Sequence, residues 1–428
     1  MPTSGQVHVV GAGLAGSEVV WQLVKRGHRV ILHEQKKLKK SPVHHSELFA
    51  ELVCSNSLKS MEIENAEGLL KKEMELFESL ILSCAYETRV PAGKALAVDR
   101  ERFSECVTRR LLETGLLEVV WEEVEKPGDE GIWVIATGPT TEGKLADWIV
   151  ERTGGMLSFF DAVAPIISAE SINMNVCFVA DRYGVGSGDY INCPMNREQY
   201  ERFWEAIVSA EVIEMKDFDR KLLFERCQPI EEIARSGKDA MRYGPLRPVG
   251  IIDPRTGKEP YAVVQLRREN IEGTMYNLVG FQTRLKWNEQ KRIVRMIPGL
   301  ENAEILRYGV MHRNTYIQSP KVLDPFLRLK TDARIFFAGQ IVGVEGYVES
   351  AMTGIYVGLN VARILEGREP VRFPEFTMSG ALIKYVTTAE ELKPMYANFG
   401  LLGGGKKRKE TAARALTCME EFVKNLDR

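Results

Sequence analysis

Two thiols and one histidine stand where this 428-residue chain could do chemistry, and one glycine loop stands where it could hold a phosphate. Cys227 precedes Gln228-Pro229-Ile230-Glu231-Glu232, where the proline suits the first turn of a helix and the acids complement the helix dipole. A thiol at such a start, flanked by Arg226 and Arg235, gains thiolate character, while Glu225, Glu231 and Glu232 oppose it. Cys227 is therefore a fair candidate nucleophile. Cys54 sits in Leu52-Val53-Cys54-Ser55-Asn56-Ser57-Leu58-Lys59-Ser60, a loop of small polar residues, and by itself reads as a structural loop cysteine. His312, within Gly309–Tyr316, reads alone as a satisfied structural group. The loop is Gly11-Ala12-Gly13-Leu14-Ala15-Gly16, and Glu34 lies eighteen residues beyond its last glycine.

The elements around that loop give it meaning. Val7–Val10 reads as a buried strand, Ser17 to about Lys25 as a helix ended by Gly27, and Arg29–Glu34 as a second parallel strand. In this setting Gly11 allows the tight turn, Gly13 admits a pyrophosphate to the backbone, and Gly16 lets helix and strand pack. Glu34 can accept from ribose hydroxyls. Further strands close on glycines at Gly131–Gly138 and Arg334–Gly339. The second is followed by Gly343, Gly346 and a helix of small residues (Ser350, Ala351, Gly354, Gly358), which resembles the flavin-contacting segment of FAD-dependent reductase folds. The expected cofactor is FAD, held by Gly11, Ala12, Gly13, Leu14, Ala15, Gly16, Glu34, Gly138, Gly339 and Gly346.

From about Ala164 to Pro320 the pattern changes to antiparallel strands, Tyr261–Leu266 and Met275–Phe281, with helical runs at Glu198–Ala210 and Glu231–Ala234. The reading is an α/β fold: a Rossmann-like FAD-binding domain of glutathione-reductase type (1–163 and 321–428) with an inserted α+β domain (164–320). An amphipathic packing helix is expected near Glu410–Leu426.

Charge narrows the classes. The formal net charge of -2 excludes a global basic field, so any nucleic-acid contact must rest on local patches. Basic runs occur at Lys36–Lys40, Arg284–Arg295 (with Trp287 interleaved) and Lys406–Lys409, and read first as solvated faces. The third, after a glycine run, reads equally as an arm for phosphates. Seven scattered cysteines without a CxxC pair argue against disulfides and zinc and for a reducing cytoplasm. No membrane-spanning or leader-like stretch stands out, and no metal site is expected.

With these pieces together, the chain resembles the folate- and FAD-dependent tRNA (uracil-5-)-methyltransferase family along essentially its whole length. The resemblance is carried by Gly11–Glu18, Cys54–Ser60, Pro91–Phe103, Asp161–Met174, Tyr243–Gly250, Gly280–Trp287, Arg292–Tyr316 and Phe337–Tyr347. The glucose-inhibited division A family of wobble-uridine enzymes shares the glycine loop and the Phe337–Tyr347 pattern and is the alternative. The resemblance implies methylation of the T-loop uridine at tRNA position 54. The carbon would come from 5,10-methylenetetrahydrofolate, and the electrons from FAD re-reduced by NAD(P)H. It implies Cys227 as the thiol that adds to carbon 6 of uracil, Cys54 as a second functional cysteine near the flavin, His312 stacking on the folate pterin and Tyr347 at the flavin ring. Cys54 would be either the base for the carbon 5 proton or a guard of the flavin. The tRNA T-arm is the implied partner, with no obligatory protein partner. One departure is visible: the family usually has Gly-Cys-Leu/Met-Pro where this chain has Arg226-Cys227-Gln228-Pro229.

Overall fold

A computed structural model describes residues 5–41, 43–184, 186, 188–213, 228–403 and 407–426, with backbone alone at 159, 160 and 312. Five short strands form a parallel sheet in the order Ile335–Phe337, Ile132–Ile135, Val7–Val10, Val30–Glu34, Leu117–Trp121. Val7 pairs with Val30 on one side and Ile132 on the other, so the strand leading into the glycine loop is central. Strands covered on both faces read as apolar runs, and IWVI and IFF are buried throughout. The Leu117–Trp121 strand was not expected. It lies at the sheet edge, its LEVVW residues are only partly buried, and Glu118 breaks the apolar run.

One face of this sheet is covered by the Leu14–Val24 helix, which packs along the Tyr347–Leu365 helix. Gly354 approaches Ala15 so closely that a Cβ at Gly354 would stand 2.3 Å from the Ala15 carbonyl oxygen. The two glycine-rich segments read from sequence are thus one packed unit drawn from distant parts of the chain. The Arg408–Asn425 helix buries Ala412, Ala415 and Met419 of its expected apolar face.

A second sheet has six antiparallel strands in the order Phe178–Val179, Tyr190–Met195, Ala262–Arg268, Met275–Leu278, Ile166–Ser168, Ile305–Arg307. The two strands expected in this region are its middle pair. Its own core includes Tyr200 and Phe203 from the Arg197–Ser209 helix, which opens on a capping box between Asn196 and Gln199. Between the sheets runs an antiparallel pair, Met156–Ala162 with Met311–Ile317. A small sheet, Ser57–Ser60, Ala95–Val98 and Arg89–Val90, supports the far end of the Cys54 loop. Among the described residues no helix is long and apolar enough to cross a membrane.

Candidate active site

The glycine loop joins the central strand to the Leu14–Val24 helix. Gly11 takes a left-handed backbone, with φ of 99°. Gly16 is fixed by contact, because a Cβ there would lie 1.9 Å from the Gly11 carbonyl oxygen. Gly13 is different: nothing lies within 4 Å of where its Cβ would be. It also caps a helix whose first amides receive no side-chain acceptor from it, which leaves donors for an anion. Glu34 ends the second strand, buried, and accepts the amide N–H groups of Ala12 (2.8 Å) and Lys36 (2.9 Å). A carboxylate offers about four lone-pair sites, so Glu34 keeps acceptors for hydroxyls.

These groups face one cavity. Gly11, Ala12, Gly13, Leu14, Ala15 and Glu34 line it from one side. Gly138, Gly339 and Tyr347 line it from the other, and Val53, the neighbour of Cys54, is at its wall. Gly16 and Gly346 serve packing instead: a Cβ at Gly346 would meet the Glu349 carboxylate at 2.1 Å. An open phosphate-facing glycine, bare helix amides and a ribose-facing acid around one cavity fit an adenine dinucleotide of the FAD kind.

The Cys54 loop is held at the cavity by side chains from several elements. The Tyr347 hydroxyl accepts the N–H groups of Cys54 (2.6 Å) and Ser55 (3.1 Å). Arg100 donates to the carbonyls of Leu52 (2.6 Å) and Cys54 (3.2 Å) and pairs with Glu269 at 2.6 Å. Arg267, reaching from the second sheet, donates to Ser55 Oγ and Asn56 Oδ1, both at 3.0 Å. The Cys54 thiol lies 3.7 Å from the Ala162 carbonyl oxygen. Burial pushes that thiol well above its usual range, and the Asp161 charge pushes the same way. Burial also pushes Glu345 well above the usual carboxylate range, with Asp161 adding to it; its carboxylate accepts from Gln340 Nε2. A neutral thiol and the raised acid of Glu345 therefore gather around the Asp161 charge, next to the Val53 wall of the cavity.

The His312 backbone pairs with Asp161 across the Met156–Ala162 and Met311–Ile317 strands, which sets its strand position next to this cluster. Cys227 lies outside the described residues. The described chain resumes at Gln228, and Pro229 precedes the Ile230–Ser236 helix as the sequence led one to expect. Arg100, Asp161, Arg267, Glu269 and Glu345 escaped the sequence reading. Of these, Arg100, Asp161 and Glu345 carried a signal, since they fall inside segments of the family resemblance, and Arg267 and Glu269 carried none.

Comparison with known proteins matches this architecture. Residues 6–369 match the family model described as glucose inhibited division protein A. The methylenetetrahydrofolate–tRNA-(uracil-5-)-methyltransferase TrmFO of Fervidobacterium nodosum is 74% identical over 416 residues, 97% of each chain. That of Thermosipho africanus is 67% identical over 407 residues, 95% of each chain. Among solved structures, GidA of Aquifex aeolicus (form II crystal) is similar with a TM-score of 0.72 at 17% identity, covering 98% of this chain and 73% of that one, a likeness of fold alone. The chain belongs to the methylenetetrahydrofolate–tRNA-(uracil-5-)-methyltransferase family, within the wider glucose inhibited division protein A group.

Proposed function

We propose that the protein transfers a one-carbon unit from 5,10-methylenetetrahydrofolate to carbon 5 of a tRNA uracil, at the T-loop uridine of position 54, with FAD re-reduced by NAD(P)H. The observation that carries this reading is the junction at Tyr347: one residue lines the dinucleotide cavity and binds the Cys54 loop through its hydroxyl. Full-length identity to relatives bearing that activity's name supports it. When bound, FAD supplies the electrons that complete the methyl group and the folate supplies its carbon.

The chain's own residues do the rest. Gly13 and the Leu14–Val24 amides bind the pyrophosphate, and Glu34 binds the ribose. His312 holds the pterin. The Cys227 thiolate adds to uracil carbon 6; a new S–C bond forms, the carbon 5–carbon 6 π bond opens, and the electron pair becomes an enolate nucleophilic at carbon 5. After carbon 5 is substituted, loss of its proton lets the thiolate leave and restores the double bond. Cys54, kept neutral by burial, is a poor resting base, so it suits closing the cavity and holding a proton. Asp161, buried beside the protonated acid of Glu345 and accepting the Ala162 N–H (2.8 Å), is the carboxylate that takes the carbon 5 proton.

The test is to incubate the FAD-loaded protein with unmodified tRNA transcript, carbon-labelled methylenetetrahydrofolate and NADPH, then map the label. Label at the T-loop uridine is expected; label in the anticodon, or none in the T-loop, overturns the reading. Cys227→Ser is expected to abolish turnover while the protein stays yellow. Persisting turnover would reassign the nucleophile.

A further inference from the structure

The fold uses up most of the basic runs that the sequence offers. Lys36 is buried and donates to the Leu48 carbonyl, and Lys39 pairs with Glu142 at 3.0 Å. Arg284 is buried against Glu231 and Glu232, Lys286 pairs with Glu211 at 2.7 Å, and Arg292 with Glu289 at 2.5 Å. Lys407 pairs with Glu410 at 3.0 Å and Lys409 with Glu64 at 3.9 Å. Trp287 is stacked on Tyr308, ring centres 5.4 Å apart. A phosphate docking on these paired lysines and arginines would first have to displace a carboxylate, and Lys36 is buried out of its reach.

One surface differs. After the Ala240–Tyr243 helix the chain turns, with the Leu246 N–H on the Met241 carbonyl (2.8 Å) and the Arg247 N–H on that of Gly244 (3.3 Å). Arg182 donates to the carbonyl oxygens of Arg247 (2.9 Å) and Val249, and Tyr183 donates its N–H to Gly250 (2.6 Å). The Tyr183 ring lies on Gly250, where a Cβ would stand 2.5 Å from it. Two tyrosines are thereby displayed to solvent: Tyr243 is 81% exposed and Tyr183 65%. Arg247 is exposed and, among the described residues, meets no carboxylate; Arg182 spends its donors on carbonyls, with the Glu259 carboxylate near it but bonded to the Gly250 N–H. The neighbouring acids are engaged elsewhere: Glu259 on the Gly250 N–H (2.7 Å), Asp239 on Arg242 (3.0 Å), Asp253 on Arg255 (2.7 Å) and Asp181 on the Asp189 N–H (2.8 Å).

This surface connects to the Cys54 loop and to the Ile230–Ser236 helix, which follows Cys227 in the sequence. Arg182 donates to Gln265 (3.3 Å), which shares a face of the Ala262–Arg268 strand with Arg267 about 7 Å along it. Arg267 in turn holds Ser55 and Asn56 beside Cys54. On the other side Pro245 lies against Gly280, whose Cβ would fall 2.6 Å from it, and Gln282 accepts the Ile230 N–H at 2.7 Å. Ile230 is three residues from Cys227 in the chain.

We propose that this surface docks the substrate RNA, Tyr243 and Tyr183 stacking on unpaired bases of the tRNA arm while Arg247 and Arg182 meet the flanking phosphates. The inference rests on the tRNA-methyltransferase reading above. Aromatic faces take any base by stacking, and a guanidinium without a carboxylate takes a phosphate without first breaking a pair. An acidic protein partner would use the arginines but has no need of two displayed rings.

The experiment measures binding of a fluorescent unmodified tRNA transcript to the full-length, FAD-loaded protein over a range of salt, and 5-methyluridine formation by the same samples. Tyr243→Ala is expected to raise Kd about 10- to 100-fold, and Tyr243→Phe, which keeps the ring, by less than about 3-fold. Arg247→Ala is expected to lower the slope of log Kd against log salt by about one. Flavin content and Tm should match the wild type, since Tyr243 and Arg247 are exposed. Tyr183→Ala is the second variant and is expected to weaken binding in the same sense. If Tyr243→Ala and Arg247→Ala bind tRNA as the wild type does, or if the wild type binds none, the surface is misassigned. Wild-type binding that Tyr243→Ala destroys, without carbon transfer, would overturn the methyltransferase reading and leave the surface standing. Carbon transfer with an unchanged KM for tRNA in both variants would overturn the surface alone.

Discussion

The dinucleotide cradle and the Cys54 loop meet at Tyr347 but are held by opposite means. The cradle is set by main-chain geometry: Gly16 against Gly11, Gly354 against Ala15, and the Ala12 amide on Glu34. The loop is set by long charged side chains, with Arg100 and Arg267 gripping residues 52–56 and Arg307 reaching the Val53 carbonyl at 3.3 Å. A cradle built by close approach fails when an atom is added. A loop built on buried charge fails when one charge is removed.

The cradle gives the largest expected effect on function, complete loss of the flavin, and the sharpest internal contrast. Gly16→Ala puts a carbon 1.9 Å from a backbone oxygen, so the helix must move away from the loop. Overpacking of this kind costs about 1–3 kcal/mol, and the displaced amides should lose the flavin altogether. Gly13→Ala meets nothing within 4 Å, so its stability should stay within about 0.5 kcal/mol of wild type while flavin affinity falls. Flavin absorbance of the purified proteins and urea unfolding separate the two. If Gly16→Ala kept both flavin and stability, close approach would not be what shapes the cradle.

The loop should break differently. Arg100→Met strands Glu269, whose side chain is 2% exposed, and frees the carbonyls of Leu52 and Cys54. Removing one partner of a buried pair costs about 3–5 kcal/mol, whereas replacing both by apolar groups is often close to neutral. Arg100→Met with Glu269→Leu should therefore recover much of the stability lost by the single variant in urea unfolding. A single variant within about 1 kcal/mol of wild type would show that the pair is not what holds the loop.

The same contrast explains what the sequence could reveal. The cradle was legible because its chemistry is local: Val7–Val10, the glycine spacing and Glu34 lie in one short stretch, and only glycine tolerates those contacts. The antiparallel pair at Ala262–Arg268 and Met275–Leu278 was legible from its apolar runs and the turn between them. The Leu117–Trp121 edge strand was not, because a half-buried edge needs no clean period. Nor were the groups around the loop, since Arg100, Asp161, Glu345 and the Arg267–Glu269 strand end lie far apart in the chain and each alone reads as an ordinary surface charge. The basic runs misled in the other direction: spacing showed the lysines of 36–40, but not that Lys36 would be buried.

An effect visible only across a pH range sharpens the comparison from within the cradle helix, where Glu18 is met by a hydroxyl and an amide rather than a guanidinium. Its Oε1 accepts from the Ser79 hydroxyl and the Ile81 N–H (3.0 Å), and its Oε2 is buried without a partner. Burial pushes Glu18 up to about 7, against the pull of Ser79 and Ile81. An unfolded glutamate titrates near 4.3, so between about pH 4.5 and pH 7 the native state still holds a proton that the unfolded state has released. Raising the pH across that window therefore favours unfolding, and the loss levels off above about 7. Glu18→Gln cannot ionise and keeps the acceptor for Ser79 and Ile81. The stability difference between wild type and Glu18→Gln should thus shift in the variant's favour by on the order of 3 kcal/mol from pH 4.5 to pH 8. Urea unfolding at both pH values measures it, and taking the difference removes the contribution of Glu73, which burial also pushes up to about 7. Parallel pH profiles for the two proteins would mean that Glu18 ionises as readily inside the fold as outside it, and that the cradle, like the loop, neutralises its buried acid by charge.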